Sequence, residues 1–214
     1  MLKVGLTGNF QSGHNEVADI FDENGMPVFD ADLILKFLLN YSPKHINEIK
    51  SKFGESIYNM CLLDMKKFNT NIQFDRLLDL VEIDIIRAYE KWRMKHTNMA
   101  YTIFKSSVLF ERNITDHMNF SISVFRPQDK RRYDIIKQLE MPILKVNEIL
   151  DNEMCELVKN TKSDYVIHNY GSYYTDLNGH GLRDQIDDIH KSLIKKSFLS
   201  EDRNDFGTLR NILN

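Results

Sequence analysis

The sequence predicts a three-layer α/β fold: a parallel sheet of about five strands, covered by helices and interrupted by one helical insertion. Three observations carry this expectation. Short apolar runs at residues 4–6, 26–30, 100–104, 120–125 and 165–167 alternate with amphipathic stretches of helical spacing. The first run leads into a loop bounded by Gly8 and Gly13, and then into Glu16–Phe21, which has the spacing of a helix packed on one face. Between the second and third runs, residues from Pro43 to Lys95 read mainly as helix, with a break near Gly54. A chain of 214 residues suits one domain with an insertion. The expected division is a core of residues 1–40 and 97–199, a substrate-side insertion of 41–96 and a polar tail of 200–214.

Element by element, Val4–Leu6 is the first strand and its loop is Gly8-Asn9-Phe10-Gln11-Ser12-Gly13. The two glycines stand where G-x-x-x-x-G-K-[ST] has them, so the frame is that of a phosphate-binding P-loop, but His14 and Asn15 follow in place of the lysine and the hydroxyl. In such loops backbone N–H groups and a helix N-terminus hold phosphate oxygens, the lysine neutralises the β and γ phosphates, and the hydroxyl ligates magnesium. Histidine is shorter than lysine, and an asparagine oxygen is a poorer magnesium ligand. The candidates for holding phosphate are Gly8, Ser12, Gly13, Asn15 and, further on, Lys36.

Gly25 ends the first helix, and Met26–Asp30 is a strand that delivers carboxylates at its C-terminal end. Ligands collect outside the carboxyl ends of strands in open α/β sheets, which makes Asp30 and Asp32 functional candidates. The competing reading is that one of them caps the helix Ala31–Asn40. Helices are expected at 44–53, 56–63 and 74–94, the last burying Leu77, Leu78, Val81, Ile85 and Ile86. Trp92 reads as a packing residue, and Lys91–His96 as a solvated face. Strands at 100–104 and 120–125 follow, then helices at 129–139 and 143–159, a strand at 165–167 and a helix at 183–198. His168, His180 and His190 lack ligand spacing and read as surface or satisfied positions. Tyr170, Tyr173 and Tyr174 read as closing a hydrophobic edge.

A net charge of -3 and a pI near 6.2 give no pull toward polymeric nucleic acid or an anionic membrane, so an anion site must be local. The N-terminus lacks a signal-peptide pattern, and no apolar stretch reaches membrane-spanning length. Cys61 and Cys155 are far apart and read as reduced thiols, in keeping with a cytoplasmic protein. The sequence sets no oligomeric state.

Several separated segments together resemble the dephospho-CoA kinases of the P-loop nucleoside monophosphate kinase group. They are Val4-Gly5-Leu6-Thr7-Gly8 with Ser12-Gly13; Gly25 to Asp32 with its Asp-Ala-Asp; Phe53-Gly54; Leu109-Phe110-Glu111; and Ser163 to Gly171. The order and spacing hold from residue 1 to about 195. The resemblance implies the three-layer P-loop kinase fold, and it puts Asn169 and Gly171 where the family holds the adenine of ATP. The departures fall on chemistry: His14 and Asn15, Lys36 in place of an arginine, Met65 beside Asp64, Glu82-Ile83 for His-Pro, Ser107 for a proline, and Gln138-Leu139-Glu140 in the arginine lid, with only Arg131 and Arg132 earlier on that helix.

Three functional readings follow. The leading one is a metal-assisted phosphohydrolase of (deoxy)nucleoside 5'-monophosphates, in which Asp30 is base or metal ligand, Asp32 a second ligand of Mg or Mn, and His14 the proton donor. An alternative is an ATP-dependent kinase of dephospho-CoA or a deoxynucleoside monophosphate, with a lysine such as Lys105 replacing the missing one. The other alternative is a non-catalytic nucleotide-binding or interaction protein. All three take a small nucleotide as ligand, and its further contacts are expected at Lys105, Glu111, Arg131, Asn169 and Gly171.

Overall fold

The structure is a computed structural model that describes residues 1–68, 71–171 and 179–212. Contacts divide the chain into two compact units, Met1–Phe29 with His96–Asn214, and Asp30–Lys95.

In the first unit β1 (Leu2–Gly8), α1 (His14–Glu23) and β2 (Val28–Asp30) come first. After the second unit follow β5 (Tyr101–Lys105), β6 (Phe120–Phe125), α6 (Gln128–Gln138), α7 (Ile143–Asn152), α8 (Glu156–Lys162), β7 (Tyr165–His168) and α9 (Leu182–Ile212). The sheet order is β2-β5-β1-β6-β7, with β1 parallel to both β5 and β6, and β6 parallel to β7. Strand β1 is central and buried over six of its seven residues, which is why it reads as a continuous apolar run rather than an alternating one. Val4, Leu6, Tyr101, Ile103, Ile122, Val124 and Ile167 from the sheet pack with Val17 and Phe21 of α1 and Ile186 and Leu193 of α9. Burial pushes the Tyr101 hydroxyl upward in pKa, and its oxygen meets His190 Nδ1 at 2.7 Å, so His190 is a satisfied core-edge residue.

The second unit holds α2 (Ala31–Tyr41), α3 (Pro43–Phe53), β3 (Tyr58–Asn59), β4 (Leu62–Leu63), α4 (Asn71–Asp79) and α5 (Glu82–Arg93). Its core contains Leu39, Ile49, Leu77, Leu78, Val81, Ile85 and Tyr89, and Trp92 stacks on Tyr89 with ring centroids 6.1 Å apart. At the start of α3, buried His45 meets Ser42 Oγ at 2.8 Å through Nδ1 and Asp84 Oδ2 at 3.0 Å through Nε2. The hydrogen bond from Lys44 draws the Asp84 carboxyl down to about 2, with His45 and Arg87 acting in the same direction.

Several elements differ from the expectation. Residues 56–63 are not a helix but a 3-10 turn, Glu55–Ile57, and the hairpin β3–β4. Its central residues Met60 and Cys61 have φ of 45° and 68°, a type I′ turn made without the glycine or asparagine that announces one. The stretch expected as a helix over 74–94 breaks at Leu80-Val81 into α4 and α5, and the one over 143–159 breaks into α7 and α8. Helix α9 continues past Phe198 to Ile212, where a tail was expected. Tyr173, Tyr174 and the last two residues of that tail lie outside the described residues. Both cysteines are free and exposed, as reduced thiols are. Among the described residues no helix is long and apolar enough to cross a membrane.

Candidate functional site

The loop between β1 and α1 is shaped by steric necessity at its two glycines. A Cβ on Gly8 would lie 2.2 Å from Ser12 Oγ and 3.0 Å from the Val124 carbonyl oxygen. Gly13 caps α1 with φ 92°, a left-handed conformation, and a Cβ there would lie 2.1 Å from Asn169 Nδ2. Ser12 N–H donates to Asn9 O at 2.9 Å, closing the loop, and Val17 N–H donates to Gly13 O at 3.1 Å, starting the helix. The first turn of α1 sets its N–H groups and the positive end of the helix dipole at the loop, the arrangement by which a helix N-terminus attracts an anion.

The side chains around this seat divide into those turned inward and those left at the surface. His14 is 9% exposed, and its Nδ1 lies 3.4 Å from buried Ser12 Oγ. Asn15 is exposed on the first turn of α1, and its Oδ1 accepts a hydrogen bond from Lys105 Nζ at 2.6 Å. Lys105 is 8% exposed and ends β5, where the sheet register sets it opposite Leu6 of β1. The loop therefore has a lysine ammonium beside it, carried by the neighbouring strand.

Asn169, just past β7, is a brace for the loop. Its Nδ2 donates to Ser12 O at 3.0 Å, while its Oδ1 accepts from Gly171 N–H at 3.1 Å and from Arg126 at 3.4 Å. Gly171 has φ 99° and lines a cleft of about 850 Å³ together with Gln11, Gly13 and Asn169. Arg126 lines the same cleft and is paired with Asp134 at 2.5 Å. The remaining wall is rich in carboxylates, Glu16, Asp19, Glu23 and Asp184, with Arg183 paired to Glu23 at 2.9 Å. Arg126 is the cleft residue that the sequence reading missed. A strand end followed by Arg-Pro is its only local signal, and that pattern is common.

Arg131 and Glu111, both read as nucleotide contacts, are engaged internally. Arg131 is 1% exposed; its guanidinium pairs with Glu153 at 2.8 Å and with Glu156, and it also donates to the Phe10 carbonyl at 2.9 Å. Glu153 in turn accepts from Phe10 N–H, so this cluster fastens α6, α8 and the segment between α7 and α8 to the loop. Against the expectation of a nucleotide contact at Arg131, the structure shows each of its nitrogens with a protein acceptor. Glu111 Oε1 pairs at 2.8 Å with Lys159, which is itself 2% exposed.

Asp30, Asp32 and Lys36 belong to the second unit. Asp30 Oδ1 accepts from Leu33 N–H at 2.9 Å and is the N-cap of α2, the structural alternative weighed for it. Asp32 lies in the first turn of α2, where a negative charge suits the helix dipole, and Lys36 is exposed on the same helix. Among the described residues no group of three or more His, Cys, Asp or Glu side chains is disposed to hold a metal ion.

The family model for dephospho-CoA kinase matches residues 2–174. This chain belongs to the dephospho-CoA kinase family. Its relatives include the dephospho-CoA kinase of Novosphingobium aromaticivorans, 26% identical over 168 residues that cover 77% of this chain and 84% of that one. The enzyme of Rhizobium meliloti is 24% identical over 196 residues, covering 88% and 98%. Among solved structures, TT1252 from Thermus thermophilus matches with a TM-score of 0.71 at 20% identity, covering 91% of this chain and 97% of that chain. Dephospho-CoA kinase from Campylobacter jejuni matches at 0.51 and 17%, covering 89% and 96%. These structures share the P-loop kinase fold. The chain is therefore a member of an ATP-dependent kinase family, and the comparisons favour the kinase alternative over the phosphohydrolase reading.

Kinases of this fold commonly use magnesium, held at the loop by a hydroxyl in the position of Asn15. The residues here fit that ion poorly. The amide oxygen that would ligate it already accepts from an ammonium at 2.6 Å, and a second cation in the same place would meet that charge.

Proposed function

We propose that the protein transfers the γ-phosphoryl group of ATP to a hydroxyl of dephospho-CoA. The observation that carries this reading is the Lys105–Asn15 pair, which sets a cation beside a P-loop that lacks its own lysine. Backbone N–H groups from Gly13 into the first turn of α1 hold the phosphates, and the Lys105 ammonium balances the charge that builds on them during transfer. Asp30, assigned through the family's Asp-Ala-Asp segment, orients the acceptor hydroxyl and takes its proton. The acceptor oxygen then attacks the γ-phosphorus, and ADP leaves with the electrons of the broken P–O bond.

The test is incubation of the pure full-length chain with dephospho-CoA and ATP, following ADP and phosphorylated product by chromatography. Parallel reactions contain each deoxynucleoside monophosphate without ATP. ATP-dependent phosphorylation of dephospho-CoA is the expected result. Release of free phosphate from a monophosphate without ATP would return the phosphohydrolase reading to the lead. Asp30→Asn keeps the helix cap, because asparagine caps as well as aspartate, so the fold should hold while turnover falls by about 100-fold or more.

A further inference from the structure

The loop has no glycine between Gly8 and Gly13, yet Gln11 within it has φ 60°. Glycine adopts that left-handed conformation freely, whereas a Cβ lowers its population by about 5- to 30-fold. A residue keeps such a conformation when its neighbours are held, because its dihedrals set the angle between the peptide planes before and after it. Both planes are held here. The one before Gln11 carries the Phe10 carbonyl, which accepts from Arg131 Nη1 at 2.9 Å. The one after it carries Ser12 N–H, which donates to Asn9 O at 2.9 Å. Arg131 is fixed in turn by Glu153 at 2.8 Å and by Glu156, and Glu153 also accepts from Phe10 N–H.

The bond from Arg131 also decides where the Gln11 N–H points. In a trans peptide the N–H and the C=O point in opposite directions, so the plane whose carbonyl faces the guanidinium turns the Gln11 N–H away from it. Gln11 lines the cleft with Gly13 and Asn169, and among the described residues its N–H has no protein acceptor. We infer that Arg131 is a positioning residue for ATP: through the Phe10 carbonyl it holds Gln11 left-handed, and so presents the Gln11 N–H as a donor to a phosphate oxygen. The arginine acts on the nucleotide through one peptide plane and does not touch it. The inference rests on the proposed function only in taking ATP as the phosphate-bearing ligand.

The experiment is isothermal titration of the full chain with ATP in the presence of magnesium. Arg131→Lys keeps a charge facing Glu153 and Glu156 but lacks the fork that also reaches the Phe10 carbonyl. It should raise the Kd by about 5- to 30-fold, the factor by which an unheld Gln11 leaves the left-handed form. Glycine needs no such bond, so Arg131→Lys combined with Gln11→Gly should bind within about 3-fold of Gln11→Gly alone. An equal loss of affinity in both backgrounds would mean that Arg131 acts through the stability of the fold, and would overturn the inference. If Arg131→Lys does not fold, the wild type decides: exchange of the Gln11 amide proton, followed by NMR, should slow by about 10-fold or more when ATP saturates the protein, and unchanged exchange overturns the inference. A wild type that binds no ATP overturns it as well. The expected pattern of Kd values without transfer to dephospho-CoA would support the inference while removing the kinase reading. Transfer by a protein whose Kd is indifferent to Arg131→Lys would do the reverse.

Discussion

Replacing Gly13 by alanine should deform the loop through one identifiable neighbour, Asn169. The new Cβ would stand 2.1 Å from Asn169 Nδ2, well inside the ordinary carbon–nitrogen contact distance, so the amide must withdraw by more than an ångström. Withdrawal breaks the 3.0 Å bond to Ser12 O and the 3.1 Å bond from Gly171 N–H. Two such bonds are worth about 2 kcal/mol together, and the left-handed φ of 92° adds about 1 kcal/mol for a residue with a side chain, giving roughly 3 kcal/mol in all. Asn169→Ala alone removes the same two bonds, along with the long 3.4 Å bond from Arg126 that adds little, and should cost about 2 kcal/mol. In the double variant no amide remains to be displaced, so Gly13→Ala then costs only its backbone term of about 1 kcal/mol. The double-mutant cycle, read by urea denaturation, should therefore show a coupling of about 2 kcal/mol. If Gly13→Ala costs the same in both backgrounds, the brace is not what holds the loop.

Two further predictions concern charge. Arg131→Met should destabilise the fold by about 3–5 kcal/mol in chemical denaturation, because Glu153 and Glu156 are left facing a site with no cation; a loss below about 1 kcal/mol would mean that water replaces the arginine freely. Asp84 is held near 2 in the folded chain against an ordinary 3.8, so the stability it contributes is present in full above about pH 4 and is lost as the pH falls toward 2. Thermal melts of the wild type and Asp84→Asn should therefore draw together as the pH falls from about 4 to about 2, and a gap that stays constant with pH would refute the assignment.

The alternation of apolar runs with amphipathic stretches, and the Gly8–Gly13 frame, made the sheet and its loop legible, because strand burial and left-handed turns leave marks on single residues. The hairpin β3–β4 left no such mark. Met60 and Cys61 adopt positive φ without any residue type that favours it, and the backbone there is decided by what the flanking strands bury. Arg131 and Asp30 show the same limit at the site. An arginine on a lid-like helix and an aspartate before a helix have the same spelling whatever they meet: here Arg131 meets Glu153 and Glu156, and the Asp30 Oδ1 caps α2, a contact that the sequence offers only as one reading of that residue.

The sequence by itself determined the family, the order of the elements and the absence of the usual lysine and hydroxyl from the loop. Those properties are written in local pattern and in residue identity. The sequence also offered Lys105 as a lysine near the loop, but only the tertiary structure decided which loop residue it meets. Lys105 lies 90 residues from Asn15 along the chain, and nothing local to either position announces the partnership. The register of β1 against β5 brings them together. A contact of that kind is a property of strand pairing, and the residues it joins carry no sign of it until the sheet has formed.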